Sequence, residues 1–142
     1  MKNEIDSDYP QFIKMDLKAK EDYLNFLYDS KSATCFAGCE QGQLYFLAAV
    51  IGFVNNTKKK TTRSTDIRLY RTIDIKYKVL IRAIALSESK YDYAILKDGV
   101  KVLKLIEEYA NGGFRLLYDK IYDKGLDLSI EDDVVKMLKK KE

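Results

Sequence analysis

The chain has 142 residues, of which 46% are apolar and 33% charged. It is therefore the size of one domain with a buried core, and neither a disordered polyampholyte nor a membrane protein. The absence of histidine excludes Ser-His-Asp and Cys-His catalysis and histidine-ligated metal sites. The only cysteines, Cys35 and Cys39, form no disulfide framework, and the acidic, polar start "MKNEIDSDYPQF" is unlike a secretory signal. We expect a cytoplasmic protein.

The N-terminal part is predicted to contain a mobile segment and then a helix. Residues 1–10 are the expected mobile segment. Between residues 15 and 28 apolar side chains recur at helical spacing, which favours a helix. The start of this helix is open, because Ile13, Met15 and Leu17 also alternate as they would in a strand.

A central helix is predicted next. The stretch "SKSATCFAGCEQGQ" is rich in small and polar residues and predicts a loop. Residues 43–53 are apolar on every side, which indicates an enclosed helix. The apolar run 44–54 is too short to cross a bilayer, which needs about 20 residues. Ala48, Ala49 and Gly52 are spaced so that a neighbouring backbone can come close.

Positive charge is concentrated after this helix. Residues 56–82 hold nine basic and two acidic side chains, a net charge of +7, whereas the rest of the chain holds 16 basic and 20 acidic ones, a net charge of −4. Such polarity favours an oriented encounter with an anionic partner. Residues 56–72 are predicted to form a basic excursion, in which the alternation of Ile67 and Leu69 favours a short strand.

This basic segment supplies the candidate binding residues. Its Thr, Asn and Ser content is typical of a loop whose side chains and amides can reach phosphates, and Tyr70 and Tyr77 could stack on bases. The alternative is a solvated loop that is basic for solubility. The six candidate contacts to nucleic acid or an acidic partner are Lys58, Lys59, Lys60, Arg63, Arg68 and Arg71.

Two further helices are predicted in the second half. Residues 73–86 fit both strand and helix periods, and we favour a helix from about Asp74, which would act as its N-cap. The segment "YDYAILKD" predicts a short helix or turn. One apolar stripe then stays in phase through Gly112 and Gly113, which favours a continuous helix over residues 100–122.

The two glycines in that stripe require an explanation. Each interior glycine costs about 1 kcal/mol relative to alanine, so we expect close contact with the small residues of the central helix. The alternative is a helix that ends at Gly112. A final helix is predicted from Ser129, with acidic residues in its first turn and lysines in its last turn, as the helix dipole favours.

Catalytic and metal-binding patterns are weak. Asp66 and the pair Asp74 and Lys76 resemble part of a nuclease core, but they are eight residues apart in sequence with no clear strand pair to join them. Cys35 and Cys39 offer two thiolates, whereas a zinc site needs four ligands. The adjacent Glu107 and Glu108 would diverge by about 100° on a helix, which predicts a solvated edge.

A resemblance to a known family rests on four strings of the chain. "LYFLAAVIGFVNNTKKK", "DIR", "LIRAIALSES" and "LIEEYANGGFRLL" resemble the small accessory proteins encoded beside bacterial DNA phosphorothioation (dnd-type) modification and restriction clusters. The resemblance covers residues 43–117. It implies a bacterial cytoplasm, anti-phage defence and a larger ATPase or nuclease subunit as partner. Thr61 and Thr62 stand where the family pattern would have a proline.

These features predict a mainly α, compact single domain over residues 11–142, with five to six helices around the central helix and a small strand pair near residues 66–71. The predicted function is a non-enzymatic accessory subunit of an anti-phage defence system that contacts DNA or an acidic partner protein through the basic segment. A protein–protein interaction module without DNA affinity is the alternative, and a metal-dependent nuclease is less favoured. No catalytic residue, cofactor, metal or membrane contact is predicted, and the oligomeric state is open.

Overall fold

The computed structural model describes residues 9–25 and 40–124. Its strands are β1, Phe12–Asp16, and β2, Ser64–Leu69. Its helices are α1, Leu17–Ala19, which continues as a π-helical turn over Lys20–Leu24, then α2, Gln41–Val54, α3, Ile75–Glu88, and α4, Gly99–Lys124. Short 3-10 turns occupy Tyr70–Thr72 and Tyr93–Lys97.

The predicted mainly α class with a small strand pair is confirmed. Four α-helices are found within the described residues, instead of the five to six predicted for the whole chain. The helix predicted from Ser129 lies outside those residues. No helix in the described part is both long and apolar enough to cross a membrane.

The two strands pair antiparallel and correct the predicted start of the first helix. Phe12 lies opposite Leu69 and Asp16 opposite Ser64, with one register shift after Ile13. The strand interpretation of Ile13 and Met15 is therefore confirmed, and both side chains are buried. The helix begins only at Leu17, because the Asp16 carboxylate accepts the N–H of Ala19 and caps it.

The packing of α2 against α4 forms the centre of the core. Both helices approach so closely that a Cβ added to Gly113 would overlap the carbonyl oxygen of Ala48, and one added to Gly52 would overlap that of Tyr109. This confirms the predicted close contact and the continuous helix through the glycine pair. The alternative of a helix end at Gly112 is wrong, since α4 runs unbroken to Lys124.

Helix α3 confirms the helical interpretation of residues 73–86. The Asp74 carboxylate accepts the N–H of Lys76 at 3.0 Å and caps the helix. The buried Ile81 and Ile84 face the core, and the ring of Tyr77 stacks on Phe46 of α2 with centroids 4.4 Å apart. The strand alternative for this segment is therefore wrong.

The N-terminal end of the described chain closes the core beside β2. Tyr9 is buried and its ring stacks on that of Tyr70, with centroids 4.9 Å apart. Residues 1–8, which make up most of the segment predicted to be mobile, lie outside the described ranges.

Candidate functional site

The basic loop, residues 55–63, begins at a well-defined helix end. Asn56 adopts a left-handed backbone with φ 51°. The N–H groups of Asn56 and Thr57 donate to the carbonyls of Phe53 and Gly52 at 3.1 and 2.8 Å. This double hydrogen bond is the Schellman motif, in which asparagine is tolerated at the left-handed position. The direction in which the chain leaves α2 is thereby set by local geometry.

The middle of the basic loop is tied to α4. The N–H of Lys59 donates to the carbonyl of Glu108 at 3.0 Å. The buried amide of Asn111 donates through its Nδ2 to the Lys59 carbonyl at 3.2 Å and to Thr61 Oγ1 at 2.9 Å. A Cβ added to Gly112 would overlap the carbonyl oxygen of Thr57. The loop backbone therefore lies directly against the helix.

The end of the basic loop is tied to β1 through Asp16. Its Oδ1 accepts the N–H and the hydroxyl of Thr62 at 2.9 and 3.0 Å and the N–H of Arg63 at 3.3 Å. Its own N–H donates to Asn111 Oδ1 at 3.1 Å. Asp16 and Asn111 thus form one polar cluster, which we call the anchor pair, that holds both the middle and the end of the loop.

The titration of Asp16 reflects these contacts. Burial of the carboxyl raises its pKa, but the hydrogen bonds donated by Thr62, Arg63 and Ala19 together outweigh burial, so that the pKa lies below its ordinary value. The carboxylate is therefore charged at neutral pH and holds four donors. The hydroxyl of Thr62 donates to this carboxylate, and the hydroxyl oxygen of Thr61 accepts from Asn111.

The side chains of the basic loop point away from this anchored backbone. Lys59, Lys60 and Arg63 are exposed. None of the three makes a side-chain hydrogen bond or ion pair with another residue of the described ranges. The loop therefore presents three cationic side chains to solvent from a backbone that is fixed by the core.

Lys58 differs from its neighbours because it is engaged. Its Nζ lies 3.0 Å from Glu88 Oε1, at the end of α3, and 5.5 Å from the centroid of the Tyr109 ring. Tyr109 donates its hydroxyl to Glu88 Oε2 at 2.6 Å. The hydrogen bond from Tyr109, and then that from Lys58, lowers the pKa of Glu88 below its usual range. The charge of Lys58 is thus partly neutralised within the fold.

Arg68 and Arg71 lie apart from the loop. Arg68 Nη1 is 3.5 Å from Glu40 Oε2, at the start of α2, and Arg71 is exposed in the turn after β2. Arg68 shares a cleft of about 340 Å³ with Asp74, the cap of α3, whereas Lys58 binds the last residue of that helix. A helix of 14 residues is about 21 Å long. The six predicted cations therefore do not form one cluster.

The two tyrosines considered for base stacking are engaged in the fold. Tyr70 is only 2% exposed, and its ring stacks on Tyr9. The expectation is therefore wrong for Tyr70. One face of the half-buried Tyr77 ring is covered by Phe46, and Lys76 Nζ lies 5.1 Å from its centroid.

The carboxylates considered for catalysis have separate positions. Asp66 lies 3.9 Å from Lys14 Nζ on β1, and Asp74 caps α3. Among residues 9–25 and 40–124, no group of three or more Cys, Asp or Glu side chains is placed to hold a metal ion. Cys35 and Cys39 lie outside the described residues. The solvated-edge prediction is wrong for Glu107, which is 9% exposed and accepts the hydroxyl of Ser64 at 2.9 Å.

Sequence reasoning did not identify the anchor pair. Asn111 interrupts an apolar stripe at a buried helical position, and a polar residue in that phase is a signal of a buried hydrogen-bond partner. Asp16 carries a weaker signal, because it caps α1 as many aspartates do. Its role in holding the loop depends on a contact 46 residues away along the chain.

Comparison with known proteins identifies a family. A family model described as DNA sulphur modification system-associated protein 4 matches residues 17–142. Neither a curated protein nor a solved structure matches the chain.

Proposed function

The chain belongs to the DNA sulphur modification system-associated protein 4 family, and we propose that it is a non-enzymatic accessory subunit that contacts DNA phosphates through its basic loop. It acts in a bacterial anti-phage defence system beside a larger ATPase or nuclease subunit. This proposal rests on the basic loop and on the association of the family with DNA modification, and it requires no catalytic group from this chain.

The observation that carries the proposal is the combination of a fixed backbone with free charges. Lys59, Lys60 and Arg63 are exposed and unpaired within the described ranges, while Asp16 and Asn111 hold the backbone beneath them. A loop that is ordered before binding loses less conformational entropy when it meets its partner. Such a loop is suited to phosphates, which are fixed points of negative charge along the duplex.

The chemistry predicts binding without sequence preference. Lysine and arginine contacts to phosphates position a protein on DNA but do not read base edges. Each neutralised phosphate releases counterions, so that affinity falls with salt by about 0.9 logarithmic unit per contact for each logarithmic unit of salt. Three contacts from the basic loop therefore contribute a slope of about −3.

Fluorescence anisotropy of a labelled DNA duplex tests this proposal. The loop variant changes Lys59, Lys60 and Arg63 to glutamine. The control variant changes the exposed Lys90, Lys97 and Lys101 to glutamine, so both variants lose the same formal charge. We expect the wild-type protein and the control to bind in about 50 mM salt and to bind more weakly in about 200 mM salt, and the loop variant to lose most of the affinity.

Two results would contradict the proposal. Equal affinities of the loop and control variants would show that only net charge matters. If the wild-type protein does not bind DNA, DNA is excluded as the ligand. That result would favour an acidic surface of a partner protein as the target of the same three cations.

A further inference from the structure

One face of α3 combines cationic and apolar side chains. Residues 75–87 of this helix carry three cations and no carboxylate. Four residues at positions i, i+3, i+4 and i+7 share one face of the helix, namely Ile75, Lys78, Val79 and Arg82. Ile75 is 65% exposed and Val79 is 57% exposed, so this face is open at its apolar positions.

The carboxylates at the two ends of α3 do not cancel the charges in its middle. The cleft at the start of the helix holds Glu40 and Asp74 together with Arg68 and Lys76, so that its two negative and two positive charges balance. At the other end, Glu88 forms an ion pair with Lys58 at 3.0 Å. Of the cations on α3, Lys78 and Arg82 remain after this count, and they lie one turn apart.

Residues 1–8 are attached to the described chain beside these two cations. Lys78 Nζ lies 5.0 Å from the centroid of the Tyr70 ring. The same ring stacks on Tyr9, the first described residue, with centroids 4.9 Å apart. The N–H of Tyr70 donates to the carbonyl of Gln11 at 2.9 Å, which fixes the chain at this point. Residues 1–8 therefore continue from a position next to α3.

These eight residues have the charge and the reach to pair with the face of α3. They contain Glu4, Asp6 and Asp8 against the single Lys2. Carboxylates at every second position share one side of an extended chain at intervals of about 7 Å, and helix residues four apart are separated by about 6 Å along the axis. Eight extended residues reach about 26 Å, which exceeds the length of α3, about 21 Å.

The other segments outside the described ranges match this face less well. Residues 26–39 contain one acidic and one basic side chain and have no net charge. Residues 125–142 contain five acidic and four basic side chains, a net charge of −1. Residues 1–8 have a net charge of −2 and are attached next to Lys78, so both charge and position favour them.

We propose that residues 1–8 dock on α3 through ion pairs of Glu4 and Asp6 with Lys78 and Arg82, instead of forming the mobile segment that the sequence predicts. Covalent attachment beside Lys78 holds these carboxylates at a high effective concentration, which offsets the weakness of single surface ion pairs. Docking withdraws two cations of α3 from other anions and leaves the basic loop as a separate cationic surface. This contact is internal to the chain and does not depend on DNA binding.

Carbodiimide treatment of the full-length protein without DNA, followed by mass spectrometry, tests this contact, because the reagent joins lysine amines to carboxyl groups that touch them. We expect a cross-link from Lys78 to Glu4 or Asp6. A mixture of ¹⁵N-labelled and unlabelled chains is used, in which an internal cross-link joins two peptides of the same label. In about 1 M salt the Debye length falls to about 3 Å, and we expect the yield of this cross-link to fall about fivefold.

Two controls use Lys76, which lies about 160° around the helix from Lys78. Its own amine should give no cross-link to Glu4 or Asp6. Arg82→Glu should lower the yield of the Lys78 cross-link about fivefold, because one of the two attracting cations is reversed, whereas Lys76→Glu, with the same change of charge, should leave the yield within about twofold. The effect of salt on wild-type protein tests the same attraction without a substitution, so a folding defect in Arg82→Glu would not hide the answer.

Several results would overturn the proposal. Lys78 would give no cross-link to Glu4 or Asp6, Lys76 would give it as readily, or neither salt nor Arg82→Glu would lower its yield. Cross-linked peptides of mixed label would show that a second copy of the chain supplies the acidic segment. Cross-links from Lys78 to carboxylates of residues 125–142 in place of Glu4 and Asp6 would show that this other segment occupies the face.

Discussion

The ends of α2 and α3 use the same hydrogen-bond pattern, but the segments that follow them differ in character. After α2, Asn56 is left-handed and the following loop is tied to the core by Asp16 and Asn111. After α3, Lys90 and Tyr91 are both left-handed, and the following turn exposes aromatic rings. The basic loop has an anchored backbone and exposed cationic side chains, whereas the turn after α3 has two residues with positive φ and exposed tyrosine rings.

This difference shows that the way a helix ends does not determine what the next segment does. The hydrogen bonds that end α2 and α3 are made within each helix and the residues after it. The basic loop is distinguished by long-range bonds to β1 and α4, and the turn by its exposed side chains. Each of the four predictions that follow alters the basic loop, the turn after α3, or the packing of α2 on α4 that supports both.

The largest effect is expected from Gly113→Ala, which disturbs the packing of α2 on α4. The new Cβ would overlap the backbone carbonyl of Ala48, and the helices would have to separate. We expect a loss of about 3 kcal/mol or more in the free energy of unfolding, at the upper end of overpacking effects. Chemical denaturation measures this loss.

Gly42→Ala is the matched control for that substitution. A Cβ at Gly42 would lie 3.1 Å from Nη1 of the flexible Arg68 side chain, which can move aside. We therefore expect a change within about 1 kcal/mol. If Gly113→Ala unfolds at the same denaturant concentration as wild-type protein, the close packing of α2 on α4 is wrong.

Asn111→Ala removes a side chain that anchors the basic loop and leaves the charge of the loop unchanged. Removal of the amide leaves the N–H of Asp16 and the carbonyl of Lys59 without their partner, which costs about 2 kcal/mol. We also expect weaker DNA binding, because the three cations are no longer held in place. Asn56→Gly is the control, since glycine adopts the same φ freely, and it should leave DNA affinity unchanged. Full DNA affinity of Asn111→Ala would mean that the loop need not be anchored.

Acid should weaken the anchoring of the basic loop through Asp16. Its pKa is lowered in the folded protein, since the donors from Thr62, Arg63 and Ala19 outweigh the effect of burial. The resulting stability is fully present above the unfolded pKa of about 3.9 and is lost as pH falls through the folded value. Asp16→Asn should therefore be less stable than wild-type protein at neutral pH. The difference in the free energy of unfolding between the two proteins should shrink in acid, which chemical denaturation at neutral and at acid pH would measure. A difference that is the same at neutral and acid pH would contradict this prediction.

The smallest effect is expected from Tyr91→Gly, which sharpens the description of the turn after α3. Glycine adopts a φ of 68° without a steric penalty, so relief of strain should raise the free energy of unfolding by about 1 kcal/mol. Tyr93→Gly, at a position without a positive φ, should give no such gain. Equal changes in thermal melting for the two variants would show that Tyr91 is not strained.

Features with a local or periodic cause could be predicted from the sequence. The apolar surface of α2, the Asp74 cap of α3 and the unbroken stripe through Gly112 and Gly113 each follow from neighbouring residues. The predicted start of α1 is too early, because residues 12–16 form a strand that depends on pairing with β2, far along the chain.

Of the candidate site, only the positive charges could be predicted from the sequence. Lys59, Lys60 and Arg63 are exposed as expected, but the composition of the loop does not show that its backbone is bound by Asp16 and Asn111. Nor does it show that Lys58 and Arg68 are paired with Glu88 and Glu40. These contacts join residues distant in sequence, which a local pattern does not encode.

The salt dependence of DNA binding tests the central claim most directly. The slope of log affinity against log salt would be measured for wild-type protein and for the variant with Lys59, Lys60 and Arg63 changed to glutamine. If these side chains contact phosphates, the wild-type slope should be steeper by about three units, while the variant with Lys90, Lys97 and Lys101 changed to glutamine should keep the wild-type slope. The same slope for wild-type protein and the loop variant would contradict a DNA contact through the basic loop.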